Sequence, residues 1–267
     1  MDISVEHRTD YVYEHPFAHA VQALRLSPPS GAGQKVLDWK IDAPGIEAAP
    51  VYFDGFGNRV HLLTPPGRVE TVSIIARGTV RTEDMNGVAG FTGETAPPAV
   101  FLRETLATRP DAAISELAQR AVHADRLSTL HGLLENVHRR IAYEVGATNA
   151  HTSAAEALRE RRGVCQDHAQ VFIAAARSLG IPARYVTGYL LIDSDNPGAA
   201  HHAWAEAHTE DLGWIGFDPA NGICPTDSYV RLAVGLDAVG AAPVRGIRQG
   251  RGGERLGVEV VVRQNQQ

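Results

Sequence analysis

The chain reads as an α+β protein, with an all-β front domain followed by a back domain of helices and an antiparallel sheet. Three observations carry that reading. Apolar residues alternate at period two in the front, the period becomes helical after about residue 110, and it returns to strands after Pro182. In the front, Ile3, Val5, Tyr11 and Tyr13 alternate, as do Val72, Ile74, Ala76 and Val80. Turn signals separate these stretches: SPPSGAG at 27–33, APG at 43–45, DGFGN at 54–58 and TPPG at 64–67. Short strands at that spacing predict an antiparallel β-sandwich-like domain over residues 1–84. Residues 85–110 lose periodicity and read as a connection, leaving 111–267 as the second domain.

Within 111–267, Asp111 is placed to cap a short helix carrying Ile114, Leu117 and Val122. Leu127, Leu130, Leu134, Val137 and Ile141 recur at steps of three and four, one face of a longer helix. Ser153 with Glu156 has the spacing of a capping box. A further helix, in GVCQDHAQVFIAAARSLG, carries Ala169, Phe172, Ile173, Ala176 and Leu179 on one face and stops at Gly180. Strands follow in ARYVTGYLLI, HAWAEAHT and GWIGFD. A last alternation, Leu256, Val258, Val260 and Val262, leaves RQNQQ as a tail expected to fray.

Composition narrows the function classes. Over 267 residues, 44% hydrophobic and 21% charged content is that of a globular protein. Twenty-five basic residues against 31 acidic ones leave −6, so no nucleic-acid partner is expected. Two cysteines, Cys165 and Cys224, make neither a disulfide scaffold nor a Cys₄ zinc site. MDISVEHRTDYVYEHPF lacks the apolar core of a signal peptide, and no run of 18 apolar residues occurs, so a cytoplasmic protein without a membrane span is expected.

Cys165 falls where a nucleophile belongs. Gly163 permits an unusual backbone before it, and the apolar helix pattern begins after it. A thiol at a helix N-terminus feels the positive end of the dipole, which favours thiolate, and the free N–H groups there can face an oxyanion. The competing reading is a small buried apolar cysteine. Downstream, His202, Trp204, Glu206 and His208 share one side of a strand while Ala203, Ala205 and Ala207 share the other. A hairpin turning about Glu210 sets His202 opposite Asp218, within reach for a carboxylate to orient an imidazole. A thiol, an imidazole and a carboxylate then form one coherent set.

The segments RRGVCQDHAQVF, ARSLGIPARYVTGYL, HHAWAEAH and GWIGFDPANG resemble the bacterial transglutaminase-like superfamily. HRTDYVYEHP, LRLSP and DGFGN resemble the N-terminal region found ahead of such domains in bacteria. The resemblance implies a papain-like core, a helix bundle with Cys at a helix N-terminus packed on an antiparallel sheet. It also implies a Cys165, His202, Asp218 triad performing thiol-dependent acyl transfer. Hydrolysis of a peptide or other amide is the leading expectation. An amine-accepting protein-glutamine transglutaminase and a non-catalytic peptide-binding module stand as alternatives. Tyr143 is the candidate for an upstream oxyanion donor, with core packing as its other reading. Trp204 either lines the cleft or fills core.

One segment departs from the family pattern. Where relatives carry GRDYxDVxPxRG, this chain reads Gly235 to Gly246 as GLDAVGAAPVRG, which predicts a roomier, less polar acyl pocket if it borders the site. His201, His202, His208, Asp167 and His168 fall in no compact ligand motif, so neither a metal nor a cofactor is expected. Asp167 is expected to cap the nucleophile helix, His201 to be exposed, Glu206 to be a solvated strand residue, and Cys224 to stand near the site without a role in turnover.

Overall fold

The structure, a computed structural model, describes residues 1–267 apart from 18, 68, 91–95, 193–200 and 266–267. The front of the chain forms β1 (Asp2–Phe17), β2 (His19–Leu24), β3 (Gln34–Asp42), β4 (Val51–Phe53), β5 (Arg59–Leu63) and β6 (Val69–Thr82). They enter two four-stranded antiparallel sheets. Val72, Ile74, Ala76 and Val80 of β6 are all buried, as their alternation requires.

Then come β7 (Val88–Gly90), α1 (Ala112–Gln119), α2 (Arg126–Arg140), β8 (Ala142–Tyr143), α3 (Ala154–Glu160), β9 (Arg162–Gly163) and α4 (Cys165–Ser178). The chain finishes in β10 (Ala183–Leu190), β11 (His201–Thr209), β12 (Gly213–Phe217), β13 (Tyr229–Gly235), β14 (Val244–Gln249) and β15 (Glu254–Gln264). The central sheet runs β13-β10-β11-β12-β7, antiparallel throughout.

Local chemistry sets the helix ends. The Asp111 side chain accepts from Ile114 N, and Ser153 with Glu156 makes a complete capping box. α4 ends in a Schellman motif. Ile181 N–H reaches Ala176 O at 3.0 Å and Gly180 N–H reaches Arg177 O at 2.9 Å, with Gly180 at φ +72°. α1 stops at Gln119, short of Val122, which is exposed.

The single apolar face expected for α4 is an understatement, because every residue from Asp167 to Arg177 is buried. α1, α2 and α3 pack around it on one side and β10 and β11 on the other. Small residues permit the close approach: Ala169, Ala174, Ala175 and Ala176 share a core with Ala203, Ala205 and Ala207. At the far end, the Arg177 guanidinium donates to the carbonyls of Phe101, Ala183 and Leu236 and to Thr108 Oγ1. It thereby satisfies backbone from three otherwise separate segments.

Three boundaries differ from the sequence reading. The last strands do not belong to the back domain: β14 pairs with β2, and β15 with β1. Residues 85–110 are more than a connection, since β7 adds to the central sheet beside β12 and Phe101 is buried; residues 91–95 lie outside those described. Nor does the tail fray where expected, because β15 continues to Gln264 and Asn265 N–H reaches Asp2 O. As an edge strand, β15 buries only Val260 of its four alternating residues; Leu256 and Val258 are exposed. One core is shared by both front sheets and the central sheet, through Ile74, Leu24, Tyr189, Val230 and Leu232 among others.

Candidate active site

Cys165 is the first residue of α4, and Val164 precedes it as N-cap. Valine offers no side-chain acceptor to the first-turn amides. The first of them to find a carbonyl is Asp167 N–H, on Val164 O, and among the described residues no carbonyl takes those of Cys165 and Gln166 at the helix end. Asp167 reaches back instead: its Oδ2 accepts from Val164 N–H at 2.8 Å and from the Thr148 hydroxyl at 2.6 Å. That carboxylate ties the helix start to the loop after β8. Gly163 owes its place to space rather than to an unusual backbone, for its φ is not positive. A Cβ there would meet Asp167 Cβ at 2.7 Å.

His202 is the second residue of β11 and is buried. Its Nε2 lies 2.7 Å from Asp218 Oδ2, which leaves Nδ1 for the Cys165 thiol, a hydrogen-bond partner of the ring. The register that brings the carboxylate there is not the expected one. Ala205 pairs with Phe217 and Thr209 with Gly213, so the hairpin turns about Asp211 and Asp218 stands two residues diagonal to His202. A shift of two preserves the face, and the contact survives as a diagonal pair.

Asp218 is the most heavily bonded carboxylate of the site. Oδ2 also accepts from Tyr229 Oη and from Asn221 Nδ2, each at 2.7 Å. Oδ1 accepts the backbone amides of Ala220 at 3.0 Å and Asn221 at 3.3 Å. Burial opposes its charge, but the bond and charge of His202, then Tyr229 and Asn221, hold the carboxyl below its ordinary range. Burial likewise opposes charge on His202. The hydrogen bonds to Asp218 and Cys165, with the charges of both, prevail and raise the imidazole to about 10.

Behind the imidazole, Trp204 is buried with Val186, Tyr229 and Val234, its ring 6.4 Å from that of His202 and nearly parallel. It fills core and packs beside the histidine ring. Gly188, cross-strand from His202, makes room for it: a Cβ there would meet the indole at 2.6 Å and Val230 O at 2.2 Å. Tyr143 is exposed in β8, beside Gly163. Partial burial raises its phenol pKa, and the charges of Cys165 and Asp218 raise it further.

The remaining residues go elsewhere. His168 sits buried between the carbonyls of Val164 and Ile141. His201 contacts Thr187 Oγ1 and the rings of His7 and Tyr189. His208 packs its ring on Trp214, two residues from the turn. Cys224 is half-buried, and burial pushes its thiol up. Glu206 is not solvated: it is buried and holds both Arg184 and Arg231. The Gly235 to Gly246 segment seats Leu236 O on Arg177 in the last turn of α4, twelve residues from Cys165 and so about 18 Å along the axis. Leu236, the first of its altered residues, therefore borders the far end of the helix.

Sequence reasoning missed Tyr229 and gave Asn221 no role. Asn221 was visible in FDPANG; Tyr229 belongs to no motif, and only the placement of β13 brings it to Asp218.

Residues 116–219 match the family model described as the transglutaminase-like superfamily, and residues 3–81 match that of the bacterial transglutaminase-like N-terminal region. An uncharacterized protein of Mycobacterium leprae is 31% identical over 97% of each chain. One from Mycobacterium tuberculosis is 29% identical, over 91% of this chain and 86% of its own. Among solved structures, a Cytophaga hutchinsonii protein provisionally described as a cysteine protease superposes with a TM-score of 0.74 at 24% identity, covering 100% of this chain and 92% of that one. That likeness shows a common fold.

Proposed function

Because this chain belongs to the transglutaminase-like superfamily, with the bacterial N-terminal region ahead of the core, we propose that it is a thiol-dependent acyl-transfer enzyme that hydrolyses a peptide or other amide. The observation that carries this reading is the His202 ring shared between Asp218 on Nε2 and Cys165 on the other side. With its imidazole raised to about 10, His202 is a strong acceptor for the thiol proton, and Cys165 attacks as the thiolate so formed.

The thiolate attacks the amide carbon, and the S–C bond forms as the carbonyl pair moves to oxygen. The amides of Cys165 and Gln166 receive that oxyanion, with Tyr143 as a third donor. His202 then gives its proton to the departing nitrogen, the C–N bond breaks, and a thioester remains. Water enters, loses a proton to His202 and attacks the thioester. Collapse releases the acid and restores the thiolate facing the imidazolium. Asp218 never needs to take the proton. It fixes the ring and stabilises its charged form.

Incubating the protein with a peptide mixture and reading intact mass tests the reading. A thioester adduct on Cys165, absent from Cys165→Ala, is the expected result. An adduct that survives Cys165→Ala, or turnover that does, overturns it. Adding a labelled primary amine separates the two fates of the thioester, since hydrolysis predicts release of acid in excess of amine incorporation.

A further inference from the structure

The two front motifs, SPPS and DGFGN, take no part in the acyl transfer proposed above, yet they build the walls of a cleft of about 710 Å³. Pro28 and Pro29 line one wall, Phe53 and Phe56 the other, Leu232 of β13 the floor, and Arg59 also lines it. That volume suits a ligand of a few residues.

Both walls are fastened to the floor strand by side-chain amides. Asn58 Nδ2 donates to Val234 O and its Oδ1 accepts from Val234 N, both at 2.8 Å. Gln34 Nε2 donates to Pro29 O at 2.7 Å and to Arg231 O at 2.9 Å, while its Oε1 accepts from Arg231 N at 2.7 Å. Asp54 shapes the turn by accepting from the amides of Phe56 and Asn58. The cleft is thus set before any ligand arrives, which lowers the ordering cost of binding.

Its charge points to the occupant. Asp54 is ion-paired with Arg25, and the Arg231 guanidinium is given to Glu206. Arg59 is exposed, and among the described residues no carboxylate pairs with it. In a chain of net charge −6, this rim stands out. Beside Arg59, directly cross-strand, the Phe53 ring is 72% exposed. A guanidinium next to an uncovered aromatic ring and a proline wall recognises a carboxylate attached to an apolar group.

We infer that this cleft binds the carboxylate end of an apolar ligand, either a polypeptide C-terminus or a free apolar acid. Its use as a substrate exosite rests on the acyl-transfer reading; binding does not. Arg231 pairs with Gly188, and Gly188 with His202, so floor and catalytic strand are two strand spacings apart, about 10 Å. A peptide of modest length spans that.

Calorimetric titration of the Cys165→Ser protein, in which thioester chemistry through the thiol is removed, tests the inference. The probes are acetyl-Gly-Gly-Val-Phe as free acid, the same peptide as C-terminal amide, and N-acetylphenylalanine. The acid is expected to bind at least tenfold more tightly than the amide, and Arg59→Gln to remove that preference. Phe53→Ser should weaken both peptides. Both positions are exposed, and an unchanged thermal midpoint verifies that the fold is intact. Equal binding of N-acetylphenylalanine and the tetrapeptide acid assigns the site to free acids; tighter peptide binding assigns it to C-termini. Equal affinity for acid and amide, indifference to Arg59→Gln, or no saturable heat at millimolar concentration overturns the inference. Thioester trapping on the wild-type protein reports separately on the function.

Discussion

Glu206 and Asp218 are two buried carboxylates of the central sheet, one on β11 and one just beyond β12, and they are neutralised in opposite ways. Glu206 faces two permanent cations: Arg184 Nε at 2.7 Å and Arg231 Nε at 2.9 Å. The Arg184 guanidinium is itself covered by the Trp214 ring, 3.8 Å from its centroid. Asp218 faces neutral donors, Tyr229, Asn221 and two amides, and one imidazole whose charge can leave. A carboxylate locked between arginines cannot take part in a proton cycle. One held by neutral groups and a histidine can, so the partners, rather than burial, separate a structural carboxylate from a functional one.

Substitution at each carboxylate sharpens that contrast. Asp218→Asn should lower kcat/KM on an amide substrate by roughly 10³–10⁴-fold, the scale seen when a triad aspartate loses its charge. Its thermal stability should change less than its activity. Glu206→Gln should do the reverse. It removes the negative charge that Glu206 sets against the wholly buried Arg184, and should cost about 3–5 kcal/mol in denaturant unfolding, while the fraction still folded reacts normally at Cys165. A Glu206→Gln protein that is fully stable but inactive would erase the distinction.

The two sites should also part with pH. Both carboxylates have lowered pKa values, so each contributes stability above the ordinary carboxylate range and loses it as pH falls through the depressed folded value. His202 has the opposite sign. Its raised pKa stabilises the fold fully below the unfolded value near 6.5, and that contribution is lost as pH rises through about 10. Amide hydrolysis should therefore fall through about 10, because the leaving nitrogen loses its proton donor. Iodoacetamide alkylation of Cys165 should not fall there, since that reaction needs no protonated imidazole. In Asp218→Asn the alkaline limb of hydrolysis should move to lower pH; in Glu206→Gln it should stay. Parallel decline of alkylation and hydrolysis would contradict the ion-pair reading.

The same contrast explains what the sequence disclosed. The positions of Cys165, His202 and Asp218 in the fold were legible because each lies in a local pattern: a helix start, an alternating strand, a strand end. Parity protected the pairing from an error in the turn, since moving the hairpin from Glu210 to Asp211 slid the register by two and kept the face. Glu206 was misread because alternation shows which side a residue takes, not what covers that side. Its cover is Arg231 of β13, 25 residues later, and Arg184 of β10. Tyr229 was hidden for the same reason. β14 and β15 were assigned to the wrong domain because strand pairing across more than 180 residues leaves no local trace.

The finest test lies within the Asp218 shell. Tyr229→Phe removes one of five donors and keeps the ring's packing against Trp204 and His202. With Tyr229 Oη gone, Oδ2 still holds His202 and Asn221, so the geometry of the His202–Asp218 pair should persist. The Asp218 pKa should rise toward its ordinary value, because a hydrogen bond to the charged form is lost. A carboxylate less well held supports the imidazolium less, so kcat should drop by about threefold to tenfold, less than the full worth of one hydrogen bond to a charged group because Asp218 keeps its other donors. KM should be unchanged, since the tyrosine stands behind the aspartate and not in the cleft. The acid limb of the hydrolysis profile should shift upward in step with the Asp218 pKa. A purely structural tyrosine would lower the melting temperature and leave that limb where it was.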